Sequence, residues 1–256
     1  MRDAVLLRAG AAIGLYRLAE FGPWIAMLVF AYGHGGATSA GVVSLALLVP
    51  TALAAPLGGP LIDRYGASRV LLGGYAAQAL AMGVTAVAML AGAPPMVCYV
   101  SGAATATLLT VTHPAHAVMS PAIARTTEQL VALNAITGWI LSVGLVAAPA
   151  AAGLILATAS PGAVYAAGAL CLVAAAALVF PLRGLLLPLA QSDDRASRPG
   201  AASELGEAVG AILAGGAATQ VMLVLAATFV TVGAFDILAV TLAVGVLDLG
   251  GSGAAT

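Results

Sequence analysis

Three charged side chains stand inside long apolar stretches of this sequence. Arg17 and Glu20 lie three residues apart and so share one face of a helix, while Asp236 lies alone in an apolar run near the C-terminus. A charge at the centre of a membrane-spanning helix costs about 2.5–3.5 kcal/mol on insertion scales, which makes each residue a functional candidate. The chemistry open to them is binding of a charged small molecule or of a proton. The structural alternatives are an ion pair that only fixes helix packing and an aspartate buried in its protonated form.

Other reactive side chains are few, and their spacing argues against catalysis. His113 and His116 are expected at the cytoplasmic end of an apolar stretch as interfacial histidines, with pH sensing as the alternative. Ser101 precedes His113 by twelve residues, which is roughly 18 Å along a helix and beyond hydrogen-bond reach. An intramembrane serine protease would therefore need a base from another helix. Cys98 and Cys171 have no Cys or His partner at ligand spacing, so neither a disulfide nor a metal site is expected.

The composition places these residues in a membrane protein. Of 256 residues, 62% are hydrophobic and only 7% charged, whereas a soluble domain carries about 25% charged residues. A net charge of −1 leaves no basic surface for nucleic acid. All nine basic residues are arginines, and without lysine the chain has neither a Walker A loop for ATP nor a Schiff-base amine. The expected partner is the lipid bilayer, and no cofactor is expected.

Seven apolar stretches are long enough to cross a bilayer as helices of about 20 residues. They cover about residues 9–31, 38–61, 70–91, 95–118, 129–157, 161–182 and 217–247. Short segments rich in glycine and proline separate them, as is typical of turns. The first stretch is too long and too charged for a cleavable signal peptide. The predicted fold class is therefore an all-α membrane protein with seven transmembrane helices.

The arginines predict the orientation of these helices. Eight of the nine lie in connections on one side of the predicted spans, and residues 32–37, 92–94 and 158–160 on the other side contain none. The positive-inside rule places the N-terminus and the hydrophilic 183–216 connection in the cytoplasm. The absence of lysine beside abundant alanine and glycine indicates GC-rich coding and hence a bacterial plasma (inner) membrane. The predicted units are a six-helix bundle (1–183), a linker with a short amphipathic helix (184–216) and one further span (217–256).

The connection between the second and third spans carries the most specific motif. Residues 59–69 read Gly-Pro-Leu-Ile-Asp-Arg-Tyr-Gly-Ala-Ser-Arg, which resembles the signature loop G-x-L-a-D-R-x-G-R-[RK] of the major facilitator superfamily. The matching positions are Gly59, Leu61, Asp63, Arg64 and Gly66, with Arg69 in place of the family's basic pair. The resemblance implies that this loop latches the cytoplasmic ends of two helical halves and biases the inward–outward equilibrium. The alternative is an ordinary cytoplasmic turn that needs only its arginines.

A second stretch is similar to the family's antiporter motif, G-x-x-x-G-P-x-x-G-G. Gly144, Pro149 and Gly153 match in the fifth span, and Ala148 and Ala152 replace two glycines. The similarity implies an exporter rather than an importer and a helix face that helps to seal the site against leaks. In so alanine-rich a sequence, small-residue patterns also arise by chance. Residues 95–118 lack the arginine that the family's proton antiporters carry in the fourth span, so the resemblance does not extend to their usual proton-coupling motif.

Together these features predict a secondary active transporter of a small molecule by alternating access. In this family two six-span halves are parallel repeats, so Glu20 and Asp236 would be near-symmetric partners on a central cavity and could also carry a proton. The family pattern has twelve spans, and the seven found here predict a truncated transporter, with a transport-inactive fragment as the alternative. The substrate stays open, because the two acids favour a cation and Arg17 equally favours an anion.

Overall fold

The computed structural model describes residues 2–123, 126–183, 210 and 216–242. Within these ranges the chain consists of helices joined by short turns, and no strand occurs. The helices are α1 (Arg2–Ala54), α2 (Gly58–Tyr65), α3 (Ala67–Leu90), α4 (Pro95–Ile123), α5 (Thr127–Thr158), α6 (Pro161–Val179) and α7 (Ala217–Val240). The predicted all-α class is confirmed. The predicted linker and its amphipathic helix lie almost entirely outside the described residues, as does Arg125.

Helix α1 combines the first two predicted spans. Gly35 (φ −173°, ψ 23°) and Gly36 (φ 65°, ψ −162°) leave the helical conformation, and they divide α1 into a first arm (2–34) and a second arm (37–54). The positive φ of Gly36 is a conformation that glycine adopts without the penalty of a Cβ. The break falls inside the turn that the sequence predicts between the first two spans.

The two arms run in opposite directions along α4. On the first arm, Phe30 packs against Tyr99 near the start of α4, and Tyr16 packs against His116 near its end. On the second arm the order is reversed, since Thr38 shares a pocket with Tyr99 near the start of α4 and Ala55, just past the arm, shares one with residues 109–114. The chain therefore folds back on itself at Gly35 and Gly36.

Five stretches of the described chain are long and apolar enough to cross a membrane, the first of them covering both arms of α1. Their outward faces carry large apolar side chains, such as Leu53, Leu80, Trp139 and Val146. Faces of this kind suit lipid, and a helix satisfies its own backbone hydrogen bonds there. Membrane-crossing helices are thus confirmed as the building units, while the count of seven and the orientation stay predictions.

The first arm lies at the centre of the bundle, where Tyr16 packs against His116 of α4 and Gly22 lies close to Ala152 of α5 and Val164 of α6. Helix α1 as a whole also contacts α7. Ala12, Ala19 and Ala26 recur at seven-residue intervals along this arm and are fully buried. Small side chains of this kind let neighbouring helices approach closely. Helix α3 completes the bundle by packing against α4 and α6. This arrangement brings the charged pair of the first arm against the side chains of α4.

The segment after the second arm differs from the prediction. The sequence predicts a span to residue 61 and a loop from 59 to 69, whereas the chain forms a 3₁₀ turn (Ala55–Leu57), helix α2, and a single-residue turn at Gly66. Pro60 lies in the first turn of α2, where its missing N–H costs nothing. Gly66 adopts φ 83° and donates its N–H to the carbonyl of Ile62 at 2.8 Å. The signature segment is therefore mostly helical.

Candidate functional site

Arg17 and Glu20 form an ion pair on the first arm, as their spacing predicts. Nη1 of Arg17 donates to Oε2 of Glu20. The two side chains are 10% and 16% exposed, so the pair is largely enclosed by the bundle. Arg17 also packs its guanidinium 5.7 Å from the ring centroid of Tyr16.

The two members of the pair face different surroundings. Glu20 lines a pocket of about 260 Å³ between the first arm and α4, whereas Arg17 is not among its lining residues. The other lining residues are Ala55, Leu109, Thr110, His113 and Pro114. Oε1 of Glu20 lies 3.9 Å from Nδ1 of His113. The pocket wall therefore includes the carboxylate and not the guanidinium.

An aromatic layer lies beside the ion pair. The ring of Tyr16 packs against His116 with centroids 4.0 Å apart, and its hydroxyl donates to the carbonyl of Leu109 at 3.2 Å. The hydroxyl of Tyr75 on α3 lies 3.2 Å from Nε2 of His116. The layer ties the first arm to α3 and α4 next to the charged pair.

The two histidines of α4 have different surroundings. This residue is only 8% exposed and is enclosed by Tyr16 and Tyr75, whereas the side chain of His113 is 48% exposed. The reason is that α4 continues to Ile123, beyond the predicted end at residue 118. His116 therefore lies two turns before the end of its helix, on the face that meets the first arm.

A buried amide joins α3 to α4 one turn further along. Gln78 is fully buried, and its Nε2 donates to Oγ1 of Thr112 at 2.8 Å and to the carbonyl of Leu108 at 3.3 Å. Sequence reasoning missed this contact, as it missed Tyr75. The available signal was Gln78 itself, an amide inside an otherwise apolar stretch, since a polar group in a membrane core needs a partner.

Within the described part of the chain, three buried side chains near the ion pair and the aromatic layer each have a polar atom that forms no hydrogen bond. Nε of Arg17, Oε1 of Gln78 and Nδ1 of His116 are buried without a hydrogen-bond partner. Buried polar atoms in folded proteins are nearly always satisfied by protein or ordered water. Each of these atoms can therefore form a hydrogen bond with a water molecule.

One residue of the antiporter-like motif touches the ion pair. A Cβ built on Gly144 of α5 would lie 3.0 Å from Cβ and 3.6 Å from Cγ of Arg17, whereas a Cβ on Gly153 would meet nothing within 4 Å. Pro149 lies inside α5 and is half-buried. Gly144 thus gives α5 its close approach to Arg17, a contact that the sequence pattern did not reveal.

Replacing Gly144 with alanine is expected to lower the free energy of unfolding by about 1–3 kcal/mol, because the added methyl overpacks the contact with Arg17. Gly153→Ala is the matched control, since it adds the same methyl to the same helix in open space and gains helix propensity. Thermal unfolding can be followed with a thiol-reactive dye that reaches the fully buried Cys98 on unfolding. Equal melting temperatures for the two variants would contradict the proposed contact.

The signature residues lie apart from the ion pair, at the end of the second arm. Gly59, Leu61, Asp63 and Arg64 belong to α2, Gly66 forms the turn, and Arg69 lies in the first turns of α3. Asp63 and Arg64 are exposed, and the guanidinium of Arg64 lies 5.4 Å from the ring centroid of Tyr65. Gly58, at the start of α2, packs closely against Pro114 of α4. The role of this segment as a latch stays a prediction.

The remaining sequence candidates are located as follows. Asp236 lies in α7, which packs against α1, and its side chain is outside the described part of the structure.

The hydroxyl of Ser101 donates to the carbonyl of Cys98 in its own helix at 3.1 Å, which is a structural contact and not a nucleophile–base pair. Among the described residues, no three His, Cys, Asp or Glu side chains are grouped as metal ligands.

Comparison with known proteins gives one match. A family model described as Major Facilitator Superfamily matches residues 9–256. No curated protein and no solved structure matches the chain significantly.

Proposed function

The chain belongs to the major facilitator superfamily, and from this premise we propose that it moves a small molecule across the membrane by alternating access. As a member it is a multi-pass membrane transporter. The observation that carries the proposal is the carboxylate of Glu20, which the bundle holds against Arg17 at the wall of a pocket. A charge kept at such a place inside a membrane protein marks a substrate or ion pathway.

The helix arrangement supports a role for the first arm in the transport path. This arm packs against α4, α5 and α6, so a change at Glu20 acts on several helices at once. The proposal includes seven crossing helices, with the N-terminus and the 183–216 linker in the cytoplasm of a bacterial plasma membrane. The arginine distribution supports this orientation through the positive-inside rule.

Export rather than import is the proposed direction. The antiporter-like motif of α5 supports it, and the contact of Gly144 with Arg17 gives that motif a physical connection to the charged pair. Glu20 and Asp236 are the proposed groups for substrate or proton coupling, and α2 with the turn at Gly66 is the proposed latch. The sequence contains no lysine and hence no Walker A motif, so the proposed driving force is an ion or solute gradient.

Transport can be tested with everted membrane vesicles from cells that express the protein. The vesicles are incubated with a small-molecule extract of the same cells, and their contents are identified by mass spectrometry. An exporter is expected to concentrate at least one compound relative to vesicles without the protein. Glu20→Gln is expected to lower this accumulation about tenfold or more, because it removes a charged acceptor. Asp236→Asn is expected to abolish coupling without lowering expression.

The matched control is Glu128→Gln, because Glu128 is an exposed carboxylate in the first turn of α5. This variant should accumulate the same compounds as the parent. Accumulation only in right-side-out vesicles would contradict export and leave transport standing. The absence of any concentrated compound in both orientations would contradict transport and favour the inactive alternative.

A further inference from the structure

The pocket beside Glu20 carries information about the chemical class of its ligand. We propose that it binds a compact molecule with an ammonium group and that it rejects carboxylates. The proposal rests on the transport function for its physiological meaning, but the binding preference itself can be measured without transport. The sequence leaves the charge of the ligand open, because Arg17 and Glu20 favour opposite charges. The proposal assigns a positive charge from the way the pair lies at the pocket.

The two oxygens of Glu20 have different surroundings. Oε2 accepts from Nη1 of Arg17, so that oxygen is already paired. Oε1 lies 3.9 Å from Nδ1 of His113, which is longer than a hydrogen bond. The residue lines the pocket, so a donor inside the pocket can approach Oε1 without displacing Arg17.

An anion has no comparable partner in this pocket. Arg17 is buried and is not a lining residue, so its guanidinium does not form part of the pocket wall that a ligand would contact. A carboxylate ligand would meet the like charge of Glu20 at short range, which is repulsive. His113 is the basic group on the wall, and it lies beside the carboxylate of Glu20. The arrangement therefore favours a cation.

The rest of the wall limits the size and character of the ligand. Ala55, Leu109 and Pro114 provide apolar surface, and Thr110 adds a hydroxyl. The volume of about 260 Å³ corresponds to roughly nine water molecules at liquid density. A single ring or a short branched chain beside the ammonium group fits this space.

The test uses three probes that share one body and differ in the head group. They are 2-phenylethylamine, 2-phenylethanol and 3-phenylpropionate, and their binding to the purified protein in nanodiscs is measured by calorimetry. The amine is expected to bind about tenfold more tightly than the alcohol, because both can donate to the carboxylate but only the ammonium adds an attraction between opposite charges. The carboxylate is expected to show no binding.

Variants assign this preference to Glu20. Glu20→Gln is expected to remove the preference for the amine over the alcohol, because the variant has no negative charge to attract the ammonium and leaves the positive charge of Arg17 in place. Glu20→Asp shortens the side chain but keeps its charge, so it should weaken amine binding and preserve the preference over the carboxylate. Glu128→Gln, at an exposed site on α5, should leave all three affinities unchanged. Circular dichroism of each variant checks that the helices are intact.

The outcomes separate this proposal from the transport function. Failure of the amine to bind at millimolar concentration, equal binding of the carboxylate, or an unchanged amine affinity in Glu20→Gln would each overturn it. Amine binding without accumulation of any compound in the vesicle assay would contradict transport and leave the site standing. Accumulation of anionic compounds alone, with no amine binding, would contradict the site and leave transport standing.

Discussion

Replacing Gly74 with alanine is expected to lower the free energy of unfolding by about 3 kcal/mol, at the upper end of the range for overpacked cores. A Cβ built on Gly74 of α3 would lie 2.3 Å from Oγ1, 2.6 Å from Cγ2 and 3.0 Å from Cβ of Thr112 on α4. Thr112 cannot simply rotate away, because its hydroxyl accepts from Gln78 and donates to the carbonyl of Leu108, both at 2.8 Å. The two helices would have to move apart and weaken the buried hydrogen bonds between them.

The neighbouring glycine provides a matched control. A Cβ on Gly73 would meet nothing within 4 Å, so Gly73→Ala adds the same methyl to the same helix without the clash. Both variants gain helix propensity, and only Gly74→Ala should melt at a lower temperature than the parent. The double variant Gly74→Ala/Thr112→Ala should recover part of the loss, because it removes the two closest atoms. Equal stability of Gly73→Ala and Gly74→Ala would contradict the helix contact.

The sequence alone predicts the parts of this fold that depend on local composition. Apolar stretches of sufficient length indicate the helices, and the glycines at 35 and 36 indicate the break in α1. The spacing of Arg17 and Glu20 predicts their ion pair, because residues three apart share a helix face. Each of these inferences needs only one segment of chain and the geometry of a helix.

The parts that the sequence could not predict depend on the register between helices. Nothing in the sequence aligns Tyr16 with His116 or Gln78 with Thr112, because those pairs are far apart in the chain and an alanine-rich surface allows several alignments. The side of the ion pair that faces the pocket is also a property of the assembled bundle. The motif does not predict the helical α2, because its glycines and charged residues are typical of a connection between spans, whereas only Gly66 adopts a non-helical turn conformation in this segment.

Among the charged residues, Arg17 is expected to have the largest effect on stability. Its side chain is 10% exposed, and that of Glu20 is 16% exposed. Removing one partner of a buried ion pair costs about 3–5 kcal/mol because the remaining charge loses its compensation. We expect Arg17→Met to cost about 3 kcal/mol, the lower end of that range, because Glu20 also faces a pocket and His113. Methionine keeps much of the apolar length of the arginine. The loss of stability therefore results mainly from removing the charge.

The double variant Arg17→Met/Glu20→Gln separates the stability of the pair from its function. Replacing both members leaves no uncompensated charge, and substitution of a whole buried pair is often nearly neutral. The double variant should therefore melt close to the parent and well above Arg17→Met, while it binds 2-phenylethylamine no better than 2-phenylethanol. A pair that served packing alone would leave amine binding intact in this stable variant. Equal losses of stability in the single and double variants would instead show that Arg17 acts through its contacts with Tyr16 and Gly144, and that its charge contributes little.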